Sequence, residues 1–539
     1  MPAYAGQKPF EVRTGNPQPD GVTFAIWSLS SGGVTLTVNG IDYPVALSPV
    51  GADRGTAAPG GQTTAGYVGS QVISGLPGGF KQWAYSASQA GSLVAGTFYT
   101  LPGRFDTFSF TMGTCEEAFE TIEQDSGCAG SIRNSMWEYV ETIIGNIESP
   151  YVGHLHCDDL AYIDGISVDD TNGTGHKSSG FPKTTLKEYD YALGYFSQAG
   201  LLQDATEPNL YVSYGHRAAR QKCMANGWYI PQWGNHEFAG FEGTFAASHS
   251  VPGSSGNSYH KTLNGFDGAG LVVYDALFAP LEPPHPLASP ADTIARLWGI
   301  DLGPIRIVGP DNITNNVSDT VTPANNVIFG SNQITDILAA LDTDAPFKIF
   351  FTQHALRKLS TTGYDHWDMF SNQPVEYAQL FTDAGGIMSK TSLNGSNGTF
   401  INVFGDSHRG SVRRMQGTQG TFAEYFYDIA CASMNHQDGH SNGSGVDENT
   451  IYNEMLVEYR QRGVGWDQAL QPPTDGRSID HTIRVDVDGP AQTITMNVVG
   501  RDICGGFSTR WSKKFKHGAG NSAYVGEIPD ASVKVELDA

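Results

Sequence analysis

Five apolar, strand-like runs in this chain each end in a side chain able to bind a metal. Phe108 to Thr114 leads to Cys115. Tyr151 to Asp158 leads to Asp159, with Tyr162 three residues on. Trp228 to Gly234 leads to Asn235-His236-Glu237. Phe347 to Gln353 leads to His354. Phe400 to Gly405 leads to Asp406-Ser407-His408. Among and between these runs, residues 226–233, 302–308, 347–352 and 399–404 read as strands. Arg133 to Ile147 has helical spacing, with apolar residues at Met136, Tyr139/Val140, Ile143/Ile144 and Ile147. Ser331 to Leu341, Val375 to Ala384 and Thr184 to Ala199 also read as helices, the last interrupted by Gly194. Strands alternating with helices predict an α/β layered domain. In open α/β sheets ligands bind beyond the carboxyl ends of the strands, so the five ends are expected to converge on one rim. Their donors mix hard oxygens and imidazoles with one thiolate, which suits a pair of cations better than one.

The flanks read differently. Val22 to Trp27, Val34 to Val38, Gln82 to Ser86 and Thr97 to Leu101 have strand composition and are separated by Gly, Pro, Asn and Asp. Short strands at that spacing predict an N-terminal β-sandwich over 1–106, followed by the catalytic-sized domain over 107–539. His481 to Val487 and Thr493 to Val499 predict a closing β-hairpin-like pair. The loops at 240–270 and 309–328 are long and polar, as functional or surface loops often are.

Composition narrows the partners. The 32 basic and 56 acidic residues give a net charge of −24, which opposes phosphate backbones and anionic membranes alike. Nucleic acid is therefore disfavoured as a partner. No apolar run reaches the ~18–20 residues of a membrane span. The N-terminus has neither a basic nor an apolar segment, so no signal peptide is expected in this chain. With 65 glycines among 539 residues, the chain reads as loop-rich, in the manner of an extracellular, cell-surface or virion protein. The six cysteines are scattered from Cys115 to Cys504 without a CxxC pair, so they set no disulfide framework.

The order Cys…Asp-x-x-Tyr…Gly-Asn-His-Glu…His…Gly-Asp-x-His resembles the calcineurin-like metallophosphoesterases. Within them it looks most like the PhoD-like alkaline phosphatases and phosphodiesterases, with a ligand order similar to purple acid phosphatases. Gly330-Ser331-Asn332-Gln333 and His366-Trp367-Asp368 look like further PhoD-type landmarks. The resemblance implies a four-layer α/β/β/α domain behind the β-sandwich. It implies that Cys115, Asp159, Tyr162 and His408 hold a trivalent iron. Asp159 would bridge to a divalent metal (Ca2+, Zn2+, Mn2+ or Fe2+) completed by Asn235, His354 and Asp406. His236 would sit beside the substrate as a proton donor or phosphate contact, with Glu237 holding its ring. Arg409 would steady a phosphate oxygen through its guanidinium fork. His156, alternating with His154 on one strand, is expected in a supporting role behind the ligands. The implied activity is hydrolysis of phosphomonoesters or phosphodiesters by in-line attack of a metal-bound hydroxide. The substrate would be a small phosphoester or an envelope phosphodiester.

Two features depart from that family's pattern. Asp158 stands where it usually has the glycine before the bridging Asp, and it crowds a tight turn. The stretch from Gly165 to Asn226 reads as an insertion. Taken singly, Cys115 would be a small buried hydrophobe, and Tyr162 a core or surface residue; their order argues for ligation. Gly439-His440-Ser441-Asn442-Gly443 fits G-x-S-x-G but lacks the strand–turn–helix that a nucleophile elbow needs. His236-Glu237 lacks the second His of a zincin. The alternative is a surface or bacteriophage virion structural component built on this fold, with or without residual activity, and with virion proteins or further copies of itself as partners.

Overall fold

The structure, a computed structural model, describes residues 10–28, 30–49, 67–116, 136–145, 149–158, 160, 214–234, 257–258, 274–312, 317–318, 327–353, 374–390, 392–393, 398–405, 411–416, 425–431, 433–435, 481–501 and 507–516. The chain forms two compact units. The first comprises residues 1–102, 116–249 and 261–283; the second comprises 103–115, 250–260 and 284–539. The architecture is mixed α/β. Among the described residues no helix is long and apolar enough to cross a membrane.

In the first unit, strands run in the order Tyr151–Cys157, Trp228–Pro231, Phe10–Gln18, Gly21–Ser28, Tyr67–Ile73. The first three are mutually parallel; the rest pair antiparallel. Every residue of Tyr151–Cys157 and Trp228–Pro231 is buried, as strands covered on both faces require. A separate antiparallel sheet orders Ile41–Val45, Val34–Val38, Gln82–Gln89 and Ser92–Tyr99. Phe24 of the larger sheet meets Tyr85 and Phe98 of the smaller one edge-on, at 4.9 and 5.5 Å between ring centres. The helix expected over 133–147 is observed at Met136–Ile143. It packs against a helix at Tyr214–Ala225, where Cys223 Sγ donates to the Trp137 carbonyl at 3.4 Å. That second helix lies in the stretch whose sequence reads only as an insertion. The helix expected over 184–199 lies outside the described residues.

Among the described residues the second unit holds two large sheets and a short antiparallel pair, Asn257–Ser258 with Val317–Ser318. One large sheet is antiparallel, in the order Phe507–Lys516, Thr493–Arg501, His481–Asp488, Phe108–Glu116. The hairpin expected over 481–499 is therefore present, and Phe507–Lys516 adds a third strand to it. The other sheet runs Trp298–Leu302, Ile305–Gly309, Phe347–Thr352, Thr399–Phe404, Tyr425–Ala430, Ser411–Gln416, with parallel pairing from Ile305–Gly309 through Tyr425–Ala430. Tyr427 lies against Trp511 and Phe515, at 6.0 and 5.2 Å, so the two sheets pack face to face. The helix Gly330–Leu341 covers the opposite face, where Ile334, Ile337 and Leu341 join Val308, Phe350 and Phe400 in one apolar cluster.

Buried ionic groups hold the start of that helix and the connection after it. The Glu376 carboxylate accepts the backbone N–H of Ile328 at 2.7 Å and of Gly330 at 2.6 Å, supplying the acceptor that the helix start lacks. Burial pushes its carboxyl above the usual range, against those hydrogen bonds. Beyond the other end of the helix, Lys348 Nζ donates to the carbonyls of Thr343, at 3.0 Å, and Ala345, in the connection that leads to Phe347–Thr352. Burial pulls the Lys348 ammonium down to about 8, although Asp342, Asp344 and Asp301 oppose the shift. A depressed lysine binds its proton less tightly folded than unfolded. Its stabilising contribution is thus complete above the unfolded value and is lost as pH falls through about 8. Wild-type protein is expected to gain up to ~3 kcal/mol from this group between pH 8 and 10.5. Urea unfolding of Lys348→Met across that range checks it: the variant should lack the rise.

Candidate metal centre

Cys115 lies within a strand, and Asp159, Asn235, His354 and Asp406 come in sequence shortly after the ends of four others. In the first unit, Tyr151–Cys157 and Trp228–Pro231 run parallel in the register Gly153↔Trp228 to His156↔Pro231. The Gln232 N–H donates to the His156 carbonyl at 2.8 Å, so the pairing continues past the strand proper. Gln232 and Trp233 are buried, two residues and one residue before Gly234. Asp159 and Asn235 come next after these paired ends in sequence.

Asp158 closes the first of these strands. It is fully buried and has φ +46°, the left-handed region that glycine enters freely and few other residues do. The crowding expected from an Asp in place of Gly is accommodated by a residue type that tolerates this conformation. His156 is also fully buried, with its Nδ1 3.3 Å from His154 Nε2 and the Trp137 ring nearly parallel to it at 6.5 Å.

In the second unit, Phe347–Thr352 and Thr399–Phe404 run parallel with Thr352 opposite Phe404. The Gly405 N–H donates to the Thr352 carbonyl at 3.0 Å. Gln353 and Gly405 therefore follow neighbouring strand ends, one residue ahead of His354 and Asp406 in sequence. A third parallel strand, Ile305–Gly309, leads to buried Asp311 and Asn312. Thr352 Oγ1 donates to Asn312 Oδ1 at 2.8 Å, and the Arg296 N–H donates to the Asp311 carboxylate at 2.8 Å. From sequence both residues read as part of a loop, because Gly309-Pro310-Asp311-Asn312 has turn composition.

Cys115, also in the second unit, is fully buried near the end of Phe108–Glu116. It too is left-handed, at φ +48°, and its Sγ lies 3.1 Å from Thr114 Oγ1. Cys115 and His156 are the expected site residues that the structure describes. Asp159, Tyr162, Asn235, His236, Glu237, His354, Asp406, His408 and Arg409 lie outside the described residues. Among the described residues no group of three or more His, Cys, Asp and Glu side chains could hold a metal.

No family model matches the chain, and no curated protein matches it. Among solved structures, it is similar to a purple acid phosphatase isolated from yellow lupin (Lupinus luteus) seeds. The TM-score is 0.51, over 94% of this chain and 74% of that chain, at 12% sequence identity. Identity this low speaks to fold alone: the chain has a mixed α/β fold similar to that of a purple acid phosphatase.

Proposed function

We propose that this protein is a metal-dependent phosphoesterase of the PhoD-like kind. The observation that carries the reading is the position of the motifs. Gly-Asn-His-Glu and Gly-Asp-x-His each begin where a buried parallel strand ends, in a chain whose fold is similar to a purple acid phosphatase.

The donor chemistry fits a dinuclear centre. Cys115, Asp159, Tyr162 and His408 would hold Fe3+, since thiolate and phenolate are anionic and favour a trivalent ion. Asn235, His354 and Asp406 would hold a divalent metal, with Asp159 shared between the two. When bound, such a pair supplies Lewis acidity and charge stabilisation on both sides of an in-line displacement at phosphorus. The protein's own groups do the rest. His236 would hold a proton for the leaving oxygen, Glu237 would fix its ring, and Arg409 would grip a non-bridging phosphate oxygen through two N–H donors. Buried His156 would support the ligands from behind.

Elemental mass spectrometry on protein purified without chelators tests the reading, together with turnover of p-nitrophenyl phosphate and bis(p-nitrophenyl) phosphate. The expected result is about one iron and one divalent metal per chain, and hydrolysis of at least one of the esters. Cys115→Ala should lose the iron and the visible phenolate-to-Fe3+ absorption while keeping its fold by circular dichroism. A chain that holds no metal after resupply would sink the enzyme reading.

A further inference from the structure

We propose that Asp158 is a positioning residue for the metal pair, and that it acts through its backbone conformation rather than its charge. This rests on the phosphoesterase reading above, in which Asp159 is the shared ligand.

Six described residues other than glycine have left-handed φ: Asn16, Asn39, Ala90, Cys115, Asp158 and Gln492. Four serve antiparallel connections. Asn39, Ala90 and Gln492 lie between strands paired as hairpins, and Asn16 lies where the register of Phe10–Gln18 with Gly21–Ser28 shifts. Asp158 instead directly follows a buried strand, Tyr151–Cys157, that pairs in parallel with Trp228–Pro231. An extended strand sends successive side chains to opposite faces. The left-handed residue breaks that alternation directly before Asp159.

Surroundings hold the break in place. Cys157, Asp158 and Leu160 are all fully buried, and the Gln232–His156 hydrogen bond pins the strand two residues upstream. Asp and Asn enter the left-handed region more readily than other residues bearing a Cβ. Glycine enters it freely, whereas alanine meets the full steric penalty. If the metal pair depends on this conformation, the penalty appears in metal affinity and follows the order of backbone tolerance.

The test is calorimetric titration of Mn2+ into full-length, chelator-treated protein. Asp158→Ala is compared with Asp158→Gly and Asp158→Asn, each with a thermal melt of the metal-free chain. Asp158→Ala should bind Mn2+ about tenfold more weakly than wild type. Asp158→Gly and Asp158→Asn should restore binding to within about twofold. Should Asp158→Ala not fold, Asp158→Ser makes the same comparison. Asp158→Ala binding like wild type while its melting temperature falls would reduce Asp158 to a purely structural residue and overturn the proposal. Weak binding by Asp158→Asn would assign the effect to charge, and weak binding by Asp158→Gly to the side chain; either overturns it. A wild-type chain that takes up neither Mn2+ nor iron overturns the phosphoesterase reading and this inference together.

Discussion

Asp159→Ala is expected to empty both metal positions and to lower kcat/KM on the better p-nitrophenyl ester by ~10³-fold or more, which corresponds to several kcal/mol of lost transition-state stabilisation. The reason is electrostatic. Two cations about 3.5–4 Å apart repel strongly unless an anionic group lies between them. Asp159 is the carboxylate proposed for that place, so its loss should not be confined to one metal. Cys115→Ala should instead cost iron first, because the divalent position keeps Asn235, His354, Asp406 and Asp159. Elemental mass spectrometry and steady-state kinetics on the two variants check this. If Asp159→Ala keeps both metals and its activity, Asp159 is not the shared ligand.

Much of the framework is legible in the sequence because burial leaves two kinds of pattern there. Strands covered on both faces are continuous apolar runs, and Phe347–Thr352 and Thr399–Phe404 lie where their composition places them. Val34–Val38 alternates buried and more exposed positions, as its pattern of Val, Thr and Leu requires. The helix expected over 331–341 is observed at Gly330–Leu341.

What the sequence conceals has physical causes. Phe10–Gln18 contains Arg13, Gly15, Asn16 and Pro17, which disguise a strand. It is a strand because it pairs with Gly21–Ser28 and, through Thr14, with Trp228 far along the chain. Phe507–Lys516 hides its buried Trp511 and Phe515 among lysines. The helix expected over 375–384 is an α-helical turn at Pro374–Tyr377 followed by a π-helix at Ala378–Thr382. There the Asp383 N–H reaches back five residues to the Ala378 carbonyl, a departure that apolar spacing does not reveal. The site is read from side-chain chemistry, so its donors are visible. The left-handed backbone at Cys115 and Asp158 is a conformational property with no motif of its own.

Gly153→Val should severely damage the framework of the first unit. Gly153 pairs with Trp228, and a Cβ at residue 153 would lie 2.4 Å from the Trp228 carbonyl oxygen and 2.5 Å from its nitrogen. These are backbone atoms in a fully buried pair of strands, so neither a rotamer change nor solvent can relieve the clash. Gly227 tightens the constraint, since a Cβ there would come within 3.1 Å of the Gly153 Cα. Valine must therefore separate the two strands or shift their register, and a shift by one residue would turn each side chain to the other face. The expected cost is ~4 kcal/mol or more, at the upper end for single substitutions, because the clash is with backbone in a close-packed core. The same register brings His156 opposite Pro231, just ahead of Asp159 and Asn235. Any chain that still folds should accordingly lose metal as well as stability. Gly33→Ala is the control: its Cβ would meet only the Val45 carbonyl oxygen, at 3.5 Å, and should change stability by no more than about 0.5 kcal/mol. Urea unfolding and metal content measured on both variants decide the matter. Wild-type stability in Gly153→Val would mean that the two strands do not approach as closely as their glycines indicate.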